Sequence, residues 1–174
     1  MRIPFYLLGL AVVLPACAQH TLPSQPVGVK PPVTRPRTVS TIPIHTLPRD
    51  TALVFQRTLC YGTCPSYTAT IFRDGRVAYV GERFVPLLGT RSDSLPQATV
   101  MALLDEARRV NFTTLQPRYT GNVSDLPSTI IAVYLPGQHV HRVEANQGIP
   151  DNLKSYIAYL RDRIDPLAGL NATK

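Results

Sequence analysis

Short stretches of alternating apolar and polar residues, interrupted by turn signals, mark the predicted strands of this chain. Residues 52–58 predict a first strand. Residues 67–81 and 129–144 each predict a hairpin, the first around an Asp-Gly pair and the second around a Pro-Gly pair. Successive side chains of a strand point to opposite faces. In the first hairpin both faces carry apolar groups, so the pattern leaves open which of them is buried.

The turn signals also predict the registers of the two hairpins. A two-residue loop at the Asp-Gly pair would set Phe72 opposite Val77. The same reasoning sets Val140 opposite Val133 in the core of the second hairpin and turns the histidines on either side of Val140 to the solvent. A Pro-Gly pair prefers a type II turn, whose twist suits a tight hairpin poorly.

Two longer stretches repeat their apolar residues at helical spacing. Ser94 predicts the N-cap of a first helix, with Gln97 closing a capping box. A second helix is predicted over residues 150–164 and stops at an Asp-Pro pair, because the residue before a proline avoids helical geometry. The apolar stripes of these helices are Val100, Leu103, Leu104 and Ala107 in the first and Leu153, Tyr156, Ile157, Leu160 and Ile164 in the second.

The order strand, hairpin, helix, hairpin, helix predicts an α+β fold. Short hairpin links require antiparallel pairing, and the apolar stripes of two helices need a sheet face to cover. We therefore expect a two-layer single domain over residues 50–168, with an antiparallel sheet built from two hairpins plus an N-terminal strand and covered by two amphipathic helices. Residues 169–174 are predicted to be a C-terminal tail.

The first 49 residues differ in composition from the rest. After a positive start, an apolar run of about 12 residues has the length of a secretory signal and is too short to span a bilayer. It ends in Leu-Pro-Ala-Cys at residues 14–17, which resembles the lipobox of bacterial lipoproteins, so residues 1–18 predict a signal peptide and Cys17 a lipidation site. The overlapping Ala-Cys-Ala also fits an ordinary cleavage site that would release a soluble protein. Residues 19–49 are proline-rich and predict an extended tether.

The basic balance of the chain arises in this N-terminal region. The formal net charge is +7, from 18 Lys and Arg against 11 Asp and Glu. Residues 1–49 hold five basic residues and no acidic one, so residues 50–174 carry only +2, from 13 basic and 11 acidic residues. We therefore expect no nucleic-acid partner for the folded domain. The expected partners are the lipid bilayer, through an N-terminal acyl chain, and an envelope protein or glycan.

Cys60 and Cys64 are the most distinctive local feature of the predicted domain. If Cys17 is lipidated or removed, they are the two thiols that remain in an oxidising compartment. Three intervening residues, one of them Gly62, can bring the two Cα atoms within the roughly 4.4–6.8 Å that a disulfide needs. This spacing predicts a structural disulfide in the connection between two strands.

A metal or redox site is the alternative for the same cysteines. The Cys-x-x-x-Cys-Pro spacing resembles that of thioredoxin-fold copper chaperones of the Sco type, in which two thiolates and a distant histidine bind copper, so His139 or His141 would complete the set. Thiolate activation in that family relies on a helix N-terminus after the motif, whereas a strand is predicted here. The sequence also lacks a nucleophile elbow, a zinc-binding His-Glu-x-x-His pair and a phosphate-binding glycine loop, and we expect neither a catalytic residue nor a cofactor.

The block around the cysteines resembles an uncharacterised bacterial family of predicted lipoproteins and secreted proteins, domain of unknown function 6438. The resemblance covers roughly residues 52–165 and implies a domain boundary and an envelope location, but no activity. We expect a cell-envelope lipoprotein domain with a non-enzymatic interaction or structural role, and keep thiol-redox or metal handling as the alternative. The matching positions are Arg57, Cys60, Tyr61, Gly62, Cys64, Pro65, Tyr67, Asp74, Gly75, Val77, Tyr79 and Gly81, followed by Asp125, Leu126, Pro127, Ser128, Pro136, Gly137, Ile164 and Asp165.

Overall fold

Seven strands form one sheet in the computed structural model, which describes residues 50–123 and 125–170. Their order across the sheet is β4-β3-β2-β1-β6-β7-β5, and every neighbouring pair is antiparallel except β5 and β7. The predicted signal peptide, lipobox and tether lie outside the described residues. The strands are β1 (Thr51–Arg57), β2 (Ser66–Phe72), β3 (Arg76–Arg83), β4 (Gly89–Ser94), β5 (Arg118–Tyr119), β6 (Thr129–Val133) and β7 (His141–Ala145).

Two helices, α1 (Gln97–Arg109) and α2 (Asp151–Ile164), join the sheet in a common hydrophobic core. The predicted stripe of α1 is buried, and so is that of α2 apart from Ile157, which is only partly covered. These features confirm the predicted α+β class. Among the described residues, neither helix has the length and apolar content needed to cross a bilayer. The sheet contributes to the core mainly through Leu53, Phe55, Tyr67, Ala69, Ile71, Val77, Tyr79, Ile131, Val133, Val143 and Ala145.

The predicted register of the first hairpin is wrong by one residue. Val77 pairs with Ile71 rather than with Phe72. The loop has three residues, because the amide of Gly75 donates to the carbonyl of Phe72 and Gly75 adopts a φ of +94°. A turn followed by a left-handed residue is a common three-residue hairpin loop. The one-residue shift puts Val77 and Tyr79 on the same face as Ala69 and Ile71, and this shared face is the one buried in the core.

The second hairpin is also shifted by one residue, which corrects the predicted position of the histidines. His141, and not Val140, pairs with Val133. The carbonyl of Leu135 accepts a hydrogen bond from the amide of Gln138, and the connection between the strands runs from residue 134 to residue 140. The Pro-Gly turn therefore lies inside a longer loop. His141 is on the helix-covered face and not on the predicted solvent face, since paired residues share a face.

The predicted capping box of α1 is wrong because Ser94 belongs to a strand. Residues 89–94 form the edge strand β4, which the sequence analysis missed because Gly-Thr-Arg-Ser-Asp-Ser lacks apolar alternation. The N-cap of α1 is Pro96, with no side-chain capping hydrogen bond. At the far end of the chain α2 ends at Ile164, as the Asp-Pro pair predicts, and continues as a 3₁₀ turn over Asp165–Ala168.

Candidate functional site

The connection between β1 and β2, residues 58–65, is closed by a disulfide. Cys60 and Cys64 are bonded, with their Cα atoms 5.7 Å apart. The amide of Tyr61 donates to the carbonyl of Asp125 at 3.3 Å, and the amide of Thr58 donates to the carbonyl of Ser128 at 2.9 Å. The side chain of Tyr61 is 92% exposed. The disulfide loop is therefore held at its base while its tip faces the solvent.

A buried carboxylate holds the two strands from which the disulfide loop emerges. Arg57 ends β1 and pairs across the ladder with Tyr67 of β2. The hydroxyl of Tyr67 donates to Oδ1 of Asp165 at 2.5 Å, and Nη1 of Arg57 donates to Oδ2 of the same residue at 3.1 Å. Arg161 adds a third contact through Nε at 3.3 Å. We call these four residues the Asp165 clamp.

The electrostatics of the Asp165 clamp are those of an ion pair protected from water. The side chain of Asp165 is 8% exposed and that of Arg57 is 17% exposed. Burial raises the pKa of Tyr67 far above its ordinary value, and the hydrogen bond to Asp165 raises it further. Tyr67 therefore remains protonated and donates a hydrogen bond to the carboxylate. The guanidinium groups of Arg57 and Arg161 balance the negative charge.

No local sequence pattern indicates the Asp165 clamp. In the sequence, Arg57, Tyr67 and Asp165 are marked only by the resemblance to a family motif, and Asp165 also by its place in the Asp-Pro pair that ends a helix. Asp165 lies 108 positions from Arg57 and 98 from Tyr67, so no local pattern connects them. An aspartate that ends an amphipathic helix, opposite a strand that ends in arginine, is a signal that could have suggested the pair.

The two candidate histidine ligands are not brought into one cluster with the cysteines. Nε2 of His141 lies 2.9 Å from the carbonyl oxygen of Leu115, and its ring packs edge-on against Phe112. His139 is exposed in the loop before β7. Within residues 50–123 and 125–170, no group of three or more His, Cys, Asp and Glu side chains is arranged to hold a metal ion. His141 therefore contributes to packing around the end of α1.

Exposed apolar side chains cluster at the end of the sheet that carries the disulfide loop. Arg57 pairs with both Tyr67 and Thr129, and Gly81 pairs with both Tyr67 and Gly89, so these strand ends lie side by side. Three loops leave this end, at residues 58–65, 84–88 and 120–128, the last of them described at residues 120–123 and 125–128. They carry five of the seven exposed large hydrophobic residues in the described part of the chain, which we call the apolar rim: Tyr61, Phe84, Leu88, Val123 and Leu126.

The loop at residues 84–88 is fixed to the body of the domain. The amide of Leu87 donates to the carbonyl of Ala168, and the hydroxyl of Tyr79 donates to the carbonyl of Leu87 at 3.0 Å. Gly81 allows this approach, since a Cβ there would lie 2.1 Å from the Leu87 oxygen. The remaining two exposed hydrophobic residues, Met101 and Val140, lie outside these three loops.

One comparison with known proteins identifies a related family. The family model described as domain of unknown function (DUF6438) matches residues 51–164. The match contains the disulfide loop and all of the Asp165 clamp except Asp165 itself, which follows its last residue. No curated protein matches the chain.

Proposed function

Since this chain belongs to the family described as domain of unknown function (DUF6438), whose description assigns no activity, we propose a role from its sequence signals and its site. The protein is an exported bacterial envelope protein, held to a bilayer by a lipid on Cys17. Its domain is a non-enzymatic module that binds another envelope component. The observation that carries the binding role is the apolar rim, five exposed apolar side chains on three loops at one end of the sheet, one of which is closed by a disulfide.

Several features support the envelope location. The Leu-Pro-Ala-Cys sequence at residues 14–17 follows a run of the length and apolar character of a signal sequence. Disulfides persist in oxidising compartments, and the Cys60–Cys64 bond fits a domain that folds outside the cytoplasm. The proline-rich residues 19–49 have the composition of a spacer between an acyl chain and a domain.

Metabolic labelling with palmitate tests the lipid attachment. Wild-type protein in the membrane fraction should incorporate label, and the Cys17→Ser variant should not. The Cys60→Ser/Cys64→Ser variant is the matched control and should be labelled like the wild type. Unlabelled wild-type protein whose mature sequence starts at Gln19 would instead establish the soluble, cleaved form.

Thiol–disulfide exchange is a second candidate function, favoured by the position of the disulfide at an exposed loop tip. In such an exchange the Cys60–Cys64 bond takes up two electrons and two protons from a dithiol protein, which leaves with a disulfide of its own. Redox titration with a free-thiol assay separates the two functions. A bond that resists reduction at the potential of a glutathione buffer supports the structural role, whereas reversible reduction in that range supports exchange.

A further inference from the structure

We propose that the apolar rim docks onto an apolar surface of another envelope protein; this inference deepens the proposed binding role and rests on it. The five side chains come from three loops that are distant in sequence but leave adjacent strands of one sheet. Exposed apolar groups collected at one end of a domain mark an interaction surface more often than scattered single residues do. The rim is such a collection.

The rigidity of the loops at residues 58–65 and 84–88 favours a partner that binds a fixed shape. The disulfide closes one loop, and the Asp165 clamp holds the strands on both sides of it. The loop at residues 84–88 is bonded to the C-terminal 3₁₀ turn through Leu87 and Ala168. Loops that are already ordered lose little conformational entropy on binding, so more of the contact energy remains as affinity. Binding sites in other proteins are likewise often formed by loops that a rigid scaffold positions.

The charge of the rim loops favours a protein over an anionic membrane. Residues 58–65, 84–88 and 120–128 contain no lysine or arginine, and their one charged side chain is the carboxylate of Asp125. Beside them, the guanidinium of Arg83 lies over the Phe84 ring, 5.0 Å from its centroid. Peripheral binding to anionic lipid depends on clusters of basic residues, and one adjacent arginine is not such a cluster. A mainly apolar rim with one carboxylate and one adjacent guanidinium fits a polypeptide surface of apolar side chains.

The direction of β1 places the N-terminal end of the described domain opposite to the rim. Asp50, the first described residue, precedes β1 at the end of the sheet opposite to the rim, since β1 runs from Thr51 to Arg57. Seven residues of strand span about 23 Å. A domain tethered through residue 50 therefore carries its rim on the side away from the attachment of the tether.

Site-specific photo-crosslinking in the native bacterium tests the docking surface in the full chain. A photoreactive phenylalanine analogue at Tyr61 or Leu88 should give one discrete protein adduct. The same analogue at Met101 or Val140, which are 60% and 39% exposed, is the matched control and should give none. A further Leu126→Ser change should reduce the adducts at both rim positions by about tenfold or more, since it removes a neighbouring apolar contact without touching the crosslinker.

Four results would overturn the proposal. Equal adducts at the rim and control positions would show no selectivity, and the absence of any protein adduct at the rim would leave it without a protein partner. An adduct with the mass of two copies of the chain would make the rim a self-association surface. Rim-dependent flotation of the purified protein with vesicles of phosphatidylglycerol and phosphatidylethanolamine, compared in wild type and a Tyr61→Ser/Leu88→Ser/Leu126→Ser variant, would identify lipid as the ligand.

The labelling and crosslinking experiments test separate claims. If the wild-type protein incorporates no palmitate, the proposed lipid anchor is contradicted, but the crosslinking result still tests the docking surface. A labelled, membrane-bound protein with no rim-specific adduct would contradict the docking surface alone. The thermal midpoint of each rim variant should stay within about 2 °C of wild type, because the replaced side chains are exposed.

Discussion

The hydroxyl of Tyr67 lies 2.5 Å from the carboxylate of Asp165, although the two residues are 98 positions apart. This bond joins the second strand to the turn that follows the last helix. The same carboxylate binds Arg57 of the first strand. One buried side chain thus connects the start of the sheet to the end of the described chain.

Replacing Asp165 with asparagine should destabilise the domain strongly. The change removes the negative charge that balances Arg57 and leaves a guanidinium that is mostly shielded from water without its counterion. We expect a loss of roughly 3 kcal/mol in the free energy of unfolding, measured by urea denaturation. Asp162→Asn, at an exposed position of α2, is the control and should cost less than about 0.5 kcal/mol. Equal effects of the two variants would contradict the role of the Asp165 clamp.

Tyr67→Phe should have a smaller effect than Asp165→Asn. It keeps the ring in the core and removes one hydrogen bond, which leaves Oδ1 of Asp165 without its donor. The expected cost is about 1–3 kcal/mol, by the same denaturation measurement. Tyr61→Phe is the matched control, because its hydroxyl is on an exposed side chain. A variant as stable as the wild type would mean that the short bond contributes no net stability.

The stability of the domain should fall above pH 10. Burial raises the pKa of both Tyr67 and Tyr156, so these groups stay protonated in the folded state after the unfolded chain has begun to ionise. The stabilisation is complete below the unfolded pKa of about 10 and is lost as the pH rises toward the folded pKa, by up to about 1.4 kcal/mol per pH unit for each tyrosine. Thermal midpoints between pH 8 and pH 12 measure the slope, which Tyr67→Phe should reduce. An identical slope in that variant would assign the effect to other groups.

Removing the disulfide should loosen the loop tip without unfolding the sheet. In Cys60→Ser/Cys64→Ser the expected loss is about 2 kcal/mol or less, because the closed loop is short. Hydrogen exchange should accelerate at the amide of Tyr61 and stay slow at Thr58, whose amide is bonded to Ser128 at the base of the loop. Faster exchange at Thr58 as well would show that the disulfide, and not the Asp165 clamp, holds the base.

Gly75→Ala should cost more than Gly137→Ala. Both glycines have a positive φ, at which a side chain costs roughly 1–2 kcal/mol. At Gly75 the added Cβ would also lie 2.3 Å from the carbonyl oxygen of Leu95, whereas at Gly137 it would meet nothing within 4 Å. The difference between the losses in free energy of unfolding of the two variants measures the steric clash at Gly75. Equal losses would mean that the backbone near Leu95 shifts at no energetic cost.

Local periodicity was enough to predict the helices and the main strands, and it failed wherever a distant partner or a loop length decided the outcome. The stripes of α1 and α2 depend on spacing within a dozen residues and were found. Both hairpin registers were missed by one residue, since a turn signal does not define how many residues the loop contains. The polar edge strand β4 has no apolar alternation, and its place in the sheet depends on pairing with β3.

In the candidate site, too, local features can be predicted from the sequence and contacts between distant residues cannot. Cys60 and Cys64 are four positions apart, and this spacing together with an expected oxidising compartment predicts the bond that the structure contains. The charge partners of the Asp165 clamp come together only when α2 folds onto the sheet, which no short window of sequence contains. The apolar rim was missed because each of its residues is an isolated apolar residue in a loop until the strand order brings the loops together.

The separation between Arg57 and Asp165 imposes an order on folding. If the chain is exported N-terminal end first, as its proposed signal sequence implies, Cys60 and Cys64 reach an oxidising compartment before Asp165 does. The disulfide closes a loop over four positions, whereas the ion pair joins two residues that are 108 positions apart. The disulfide can therefore form on a chain whose sheet is incomplete, and the ion pair completes the domain as one of its last contacts. A protein truncated before residue 165 would form the disulfide but not the ion pair.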